Sequence, residues 1–91
     1  MISICIPIYN FDCTPLIQAL EEQILQCGSA IKIIAIDDGS DKAFEEINKK
    51  ILLKHNYIVL PKNIGRAKIR NLFLKHTDDK YLLYLDCDVI V

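Results

Sequence analysis

Tyr81-Leu82-Leu83-Tyr84-Leu85-Asp86-Cys87-Asp88 sets five apolar residues in a row against two carboxylates spaced one residue apart. An apolar run without alternation predicts a strand buried on both faces, as in a parallel sheet flanked by helices. Two acids at the end of such a strand repel each other unless a cation or water comes between them. A divalent metal carrying a phosphate ligand meets that need, because hard oxygen ligands suit magnesium or manganese. A solvated turn from strand to loop, where Asp is common, is the simpler account of an isolated Asp-x-Asp. The rest of the chain has to decide.

Working outward, the chain alternates between strand and helix patterns. Residues 2–8 form a first strand, with Pro7 near its end, where a missing ladder donor is tolerable. Thr14-Pro15 reads as a hydroxyl cap followed by Pro at the first helical position. Leu16, Leu20 and Ile24 then share one helix face, and Gly28 ends it. A second strand covers residues 31–36. Ser40 or Asp41 caps a second helix, on which Phe44, Ile47 and Ile51 share a face. Residues 57–60 make a short third strand before Pro61. Gly65 opens a third helix carrying Ile69, Leu72 and Phe73, and residues 80–85 are the fourth strand. Such alternation with short connections predicts a Rossmann-like, three-layer α/β/α fold with a mainly parallel four-stranded sheet.

Polar residues collect where the strands end. Tyr9-Asn10 follow the first, Asp37-Asp38-Gly39-Ser40 the second, Lys62-Asn63 the third, and Asp86 with Asp88 the fourth. In a parallel sheet all four groups lie along one carboxyl edge, where open α/β sheets bind ligands.

Two of these groups carry recognisable chemistry. In Asp37-Asp38-Gly39-Ser40, Gly39 permits a sharp turn and Ser40 can cap the next helix. A turn with a polar cap accounts for one of the two aspartates. The other, as an acceptor-only carboxylate, can take a base imide N–H or a ribose hydroxyl. Lys62 to Asn71 places basic residues around a helix N-terminus, which favours an anion. Arg66, in the first turn at the carboxyl edge, is the candidate anion ligand, whereas Lys68 and Arg70 fit a solvated face. His55 and His76 sit at helix ends, where an imidazole suits the dipole.

Ser3-Ile4-Cys5-Ile6-Pro7-Ile8-Tyr9-Asn10, then Ile36 to Ser40, then Asn63-Ile64-Gly65-Arg66-Ala67-Lys68-Ile69-Arg70-Asn71, then Leu85 to Asp88 resemble the successive motifs of family 2 glycosyltransferases with the GT-A fold. Their order and spacing agree over nearly the whole chain. The resemblance implies a partial GT-A fold and a nucleotide-diphosphate-sugar site, with uridine diphosphate as the expected carrier. Residues matching Pro7 to Tyr9 would line the base pocket, with Asp38 on the base and Asn63 and Arg66 beside the nucleotide. Asp86 would lie near the ribose, sugar and metal, and Asp88 would ligate the Mn2+ or Mg2+ held by the diphosphate. The acceptor implied is a glycan or lipid-linked hydroxyl, as in polysaccharide biosynthesis, and transfer would be inverting. No catalytic residue is assigned, since the base in such enzymes lies after the second acid, beyond Val91. Val89 stands where many members carry a further acid.

Two other readings compete. Leu85 to Ile90 also resembles the first motif of haloacid-dehalogenase-type phosphatases, which normally follows the first strand of its domain. Alternatively the chain is a non-catalytic nucleotide-binding or self-associating fragment, a homo-oligomer through exposed apolar surface. Ninety-one residues make one domain at most. Ending on Val89-Ile90-Val91, an apolar strand without a polar finish, it reads as the donor-binding part, residues 1–91, of something longer, inactive alone.

Composition narrows the field further. With 11 basic and 12 acidic residues the formal charge is −1, which does not mark a nucleic-acid binder. Cys5, Cys13, Cys27 and Cys87 lack the spacing of a zinc site. No charged-then-apolar leader is seen, nor an apolar run near 20 residues, the length a membrane span needs. A cytoplasmic, reducing compartment is the expectation, with membrane association left to the full-length protein.

Overall fold

The computed structural model describes residues 2–27, 30–77 and 81–87, with only the backbone of Arg66. Gly28, Lys80 and Asp88, singled out in the sequence, lie outside the described residues. The elements run β1 (Ile2–Ile8), α1 (Thr14–Cys27), β2 (Ile31–Asp37), α2 (Lys42–Ile51), β3 (Asn56–Val59), α3 (Arg66–His76) and β4 (Tyr81–Tyr84). The strands form one sheet in the order β3-β2-β1-β4, and every pairing is parallel. Ile2 stands opposite both Ile31 and Tyr81, so β1 lies between β2 and β4.

Right-handed crossovers dictate the layers. The chain moves β1 to β2 to β3 in one direction, which puts α1 and α2 on the same face. It then returns past β1 to reach β4, which puts α3 on the other. Side-chain packing follows. Ile4, Ile6 and Ile8 of β1 join Ile33 and Ala35 of β2 with Leu16, Ile17 and Leu20 of α1 and Leu52 beyond α2. On the opposite face Cys5, Ile34 and Ile36 pack with Ile69 and Phe73 of α3. Because β1 and β2 are apolar at consecutive positions, both faces can be buried.

That rule misleads for β4. Tyr81 and Leu83 are 59% and 49% exposed, while Leu82 and Tyr84 pack towards α3. The run is apolar on both faces, yet among the described residues α3 is the helix packed on it, because both crossovers on the other side travel away from β1 towards β3. Phe73 meets Tyr84 edge-on at 5.8 Å and 76°. Such a pair contributes about 0.5–1.5 kcal/mol beyond area burial. The Arg70 guanidinium lies 5.1 Å from the centre of the same ring, so this residue of the exposed face also fastens α3 to β4.

Helix starts differ in detail from expectation. α1 begins at Thr14 itself, and the cap comes from Asp12, whose Oδ1 accepts the Thr14 N–H at 2.9 Å. Bonds from the Thr14 hydroxyl and N–H hold the Asp12 carboxyl below its ordinary range. Asp41 occupies the cap position of α2 without a side-chain cap bond, and Ser40 turns elsewhere. On α2 the fully buried residue is Asn48, whereas Ile47 is exposed. His55 is bound across the fold, its Nε2 2.8 Å from Glu21 Oε2 of α1.

Candidate functional site

The loops after β1, β2 and β3 are bonded into one block. Asp38 N–H donates to Ile8 O at 2.8 Å, extending the β1–β2 pairing by one residue. Asn10 adopts φ 46°, a left-handed conformation that Asn tolerates better than most residues. In that pose its N–H donates to Ser40 Oγ at 2.8 Å and its Oδ1 accepts the Asp41 N–H at 2.7 Å. Asn48, inaccessible to solvent, reaches up from α2: Nδ2 donates to Phe11 O and Oδ1 accepts the Cys13 N–H. A buried amide with both ends satisfied fixes the path of the loop between β1 and α1.

The adjacent aspartates divide their work. Asp37 is fully buried, its Oδ1 accepting the Ser40 N–H and its Oδ2 the Tyr57 hydroxyl, each at 2.8 Å. Burial first, and then this carboxylate, push the Tyr57 hydroxyl far above its ordinary pKa. Asp38 is 6% exposed. Its Oδ1 accepts the Ile64 N–H at 2.7 Å and its Oδ2 the Gly65 N–H at 3.0 Å, tying the turn after β2 to the entrance of α3. Asn63 Nδ2 donates to the Asp38 carbonyl at 3.2 Å, on the same seam. Structural bonds thus engage both carboxylates, where the turn pattern alone explains one. Each Asp38 oxygen still has a second lone pair for a ligand.

Gly39 sits where the two turns touch. It has φ 73°, and a Cβ there would lie 2.5 Å from Asn63 N and 2.6 Å from Lys62 C. Only glycine permits this backbone approach.

Above this block opens a cleft of about 400 Å³, lined among others by Pro7, Tyr9, Phe11, Asp38, Asn63 and Asp86. It lies over the carboxyl ends of β1 and β4, the neighbours whose connections leave in opposite directions. Five candidate residues, Pro7, Tyr9, Asp38, Asn63 and Asp86, are therefore brought together. Arg66 is the first residue of α3, but its side chain, like Asp88, lies outside what is described. Phe11 and Cys87 also line the cleft and were missed, since an aromatic in a loop and a thiol between two acids carry no distinctive spacing.

Cys87 lines this cleft, whereas Cys13 is buried in the core. Both join the core cluster beneath β1, and the Cys13 thiol donates to Phe11 O at 3.9 Å. The influence of the Cys87 thiol, followed by burial, pushes the Cys13 thiol far above its ordinary range. A divalent ion needs one or two carboxylates when phosphate oxygens supply the remaining ligands. Exposed Asp86 at the cleft mouth suits that role, while no group of three or more metal-binding side chains exists among the described residues.

An all-parallel sheet with a cleft at its switch point, apolar in most of its lining but holding Asp38, Asn63 and Asp86, defines a Rossmann-like α/β domain. Comparison with known proteins makes this specific. The chain belongs to glycosyl transferase family 2, whose model matches residues 3–91. An uncharacterized glycosyltransferase of Haemophilus influenzae is 39% identical over 96 residues, covering 97% of this chain and 36% of that protein. One from Rickettsia felis is 34% identical over 93 residues, covering 96% and 14%. The chain thus spans little more than a third, or less, of the curated relatives it matches. TarS of S. aureus (residues 1–349) superposes with a TM-score of 0.75 at 29% identity, covering 96% of this chain and 27% of TarS. Mannosyltransferase PcManGT from Pyrobaculum calidifontis, in complex with GDP-Man and Mn2+, gives 0.68 at 18% identity with the same coverage, a likeness of fold. Membership in this family removes the phosphatase reading of Asp86-Cys87-Asp88.

Proposed function

We propose that residues 1–91 form the donor-binding part of a glycosyltransferase that moves a sugar from a nucleotide diphosphate, uridine diphosphate by preference, to an acceptor hydroxyl. One observation carries the reading: a single cleft gathers Tyr9, Asp38, Asn63 and Asp86 from the ends of four different strands. In this reading Tyr9 and Phe11, both partly exposed, offer aromatic surface to the base, and Asp38 accepts its imide N–H. Asn63 and the α3 N-terminus would face the diphosphate, and Arg66 is assigned to the same anion by its position in the first turn. Asp86 and Asp88 would hold a manganese or magnesium ion, whose chemistry is Lewis-acid stabilisation of the departing diphosphate. In this proposal the base that deprotonates the acceptor would lie beyond Val91, and a single base implies inversion.

The acceptor in this proposal is a glycan or a lipid-linked hydroxyl, and the compartment is the reducing cytoplasm. No helix among the described residues is long and apolar enough to cross a membrane. Self-association, where it occurs, would use the open face of β4 at Tyr81 and Leu83. The test is calorimetry of uridine diphosphate with and without manganese. Binding should be weak, tighter with the metal, and independent of it in Asp88→Ala. Equal affinity with and without manganese in the unaltered chain would sink the metal assignment.

A further inference from the structure

We propose that the outward face of α3 is a docking surface for an anionic lipid bilayer. Between Lys62 and Thr77 the chain carries five basic residues, Lys62, Arg66, Lys68, Arg70 and Lys75, and no acid. The rest holds 6 basic and 12 acidic residues, so the near-neutral total conceals +5 on one segment against −6 elsewhere. Continuing to Asp86 adds Lys80, Asp78, Asp79 and Asp86 itself, and an excess of three positive charges remains. α3 buries Ile69 and Phe73 against the sheet. At helical spacing on the opposite side stand Ala67, Lys68, Asn71, Leu74 and Lys75, all exposed. Leu74 is 60% exposed, an apolar side chain set among cations. Arg70 is stacked on Tyr84 and Arg66 is assigned to the diphosphate, so Lys68 and Lys75 are the cations a surface meets first.

Charge and shape together select the partner. A second copy docked here would set like charge against like, whereas an anionic surface offers the complement. A cationic helix that also presents an exposed leucine suits lipid better than nucleic acid. The lysines reach headgroup phosphates while Leu74 enters the boundary with the acyl chains. Among the described residues α3 is the helix on this face of the sheet, α1 and α2 lying on the other. A flat bilayer therefore meets its full length of about 16 Å. The acidic remainder is repelled by the same bilayer, which orients the molecule α3 first. Gly65 and Ile69 also line the cleft, so docking brings the cleft beside the lipid headgroups. That position would serve a lipid-linked acceptor, a use that rests on the donor-site reading; the docking does not.

The experiment sediments the full chain with vesicles of phosphatidylcholine, alone or with phosphatidylglycerol, at low and at high salt. The chain should pellet with the anionic vesicles at low salt, stay in solution with phosphatidylcholine alone, and leave the anionic vesicles as salt screens the lysines. Lys68→Gln and Lys75→Gln should each lower the partition coefficient about fivefold, the worth of one lysine near an anionic surface. Leu74→Ser, which keeps the charge, should lower it severalfold. All three positions are exposed, so the urea midpoint of each variant should match that of the unaltered chain. Equal binding to both kinds of vesicle, binding to neither, or full binding by the double lysine variant overturns the proposal. Unchanged vesicle binding by Leu74→Ser overturns the lipid assignment, and retention of a single-stranded RNA oligomer in place of vesicles would identify a nucleic-acid surface instead. Uridine diphosphate affinity, measured without vesicles, separates the two readings. Its absence in the unaltered chain refutes the donor site and leaves vesicle binding standing, whereas its presence without vesicle binding refutes the docking surface alone.

Discussion

Replacing Gly39 with Ala tests whether the turns after β2 and β3 really interlock. The new methyl would sit 2.5 Å from Asn63 N, 2.6 Å from Lys62 C and 2.9 Å from Lys62 Cα, all backbone atoms. No rotamer change relieves contacts of that kind, so a turn has to move. Overpacking of this sort costs about 1–3 kcal/mol. A non-glycine residue held at φ 73° adds about 1–2 kcal/mol. The sum is about 2–5 kcal/mol, against roughly 5–14 kcal/mol of total stability expected for a chain of this length. With an m-value of about 1.5 kcal/mol/M, the urea midpoint should fall by roughly 1.5–3 M. Amide exchange gives the local readout, because displacement of the second turn frees the Ile64 and Gly65 N–H groups from Asp38. Gly65→Ala is the control: nothing lies within 4 Å of its Cβ, so only backbone strain of about 1–3 kcal/mol remains. A midpoint for Gly39→Ala within about 0.3 M of the unaltered chain, with both amides still protected, would refute the interlock.

Two further outcomes follow from individual bonds. Asp38→Asn keeps the shape but turns an amide NH2 towards one of two N–H donors, so stability should fall by about 1.5–3 kcal/mol in urea titration. Protection of one of the Ile64 and Gly65 amides should fall with it, and unchanged protection of both contradicts the bonding scheme. Asp12→Ala should cost about 1 kcal/mol at neutral pH, as for other lost helix caps. Because the folded state lowers this carboxyl's pKa, its contribution is complete above the ordinary carboxylate value and disappears as pH falls through the folded one. The gap between Asp12→Ala and the unaltered chain should therefore narrow on acidification, and a widening gap rules the cap out.

The central strands were legible because β1 and β2 are continuous apolar runs ended by polar turns, a pattern with few other solutions. The shared carboxyl edge followed from parallel geometry alone, which is why Tyr9, Asp38, Asn63 and Asp86 could be grouped from the sequence, whereas Pro7 entered only through the family resemblance. What stayed hidden depends on partners distant in sequence. Asn48 is a polar residue on the core side of a helix, and only the loop bonds it satisfies explain its burial. Thr14 has the chemistry of a cap, yet Asp12 two residues earlier takes the role once the chain direction is set. β4 reads as doubly buried because composition records apolar character but not which face a crossover helix reaches. The bonds of Asp38 to Ile64 and Gly65 link segments that nothing in the one-dimensional pattern pairs.

The position of β1 between β2 and β4 also constrains the order of assembly. Its pairing with β2 needs only the intervening α1, whereas Ile2 meets Tyr81 across nearly the whole chain. During synthesis β1 emerges first and acquires one neighbour early, while its other edge waits for β4. Until β4 arrives, a row of unpaired backbone donors and acceptors along an Ile-rich strand remains open to any extended segment nearby. The strand that anchors the finished sheet is thus the one most in need of protection while the protein is being made.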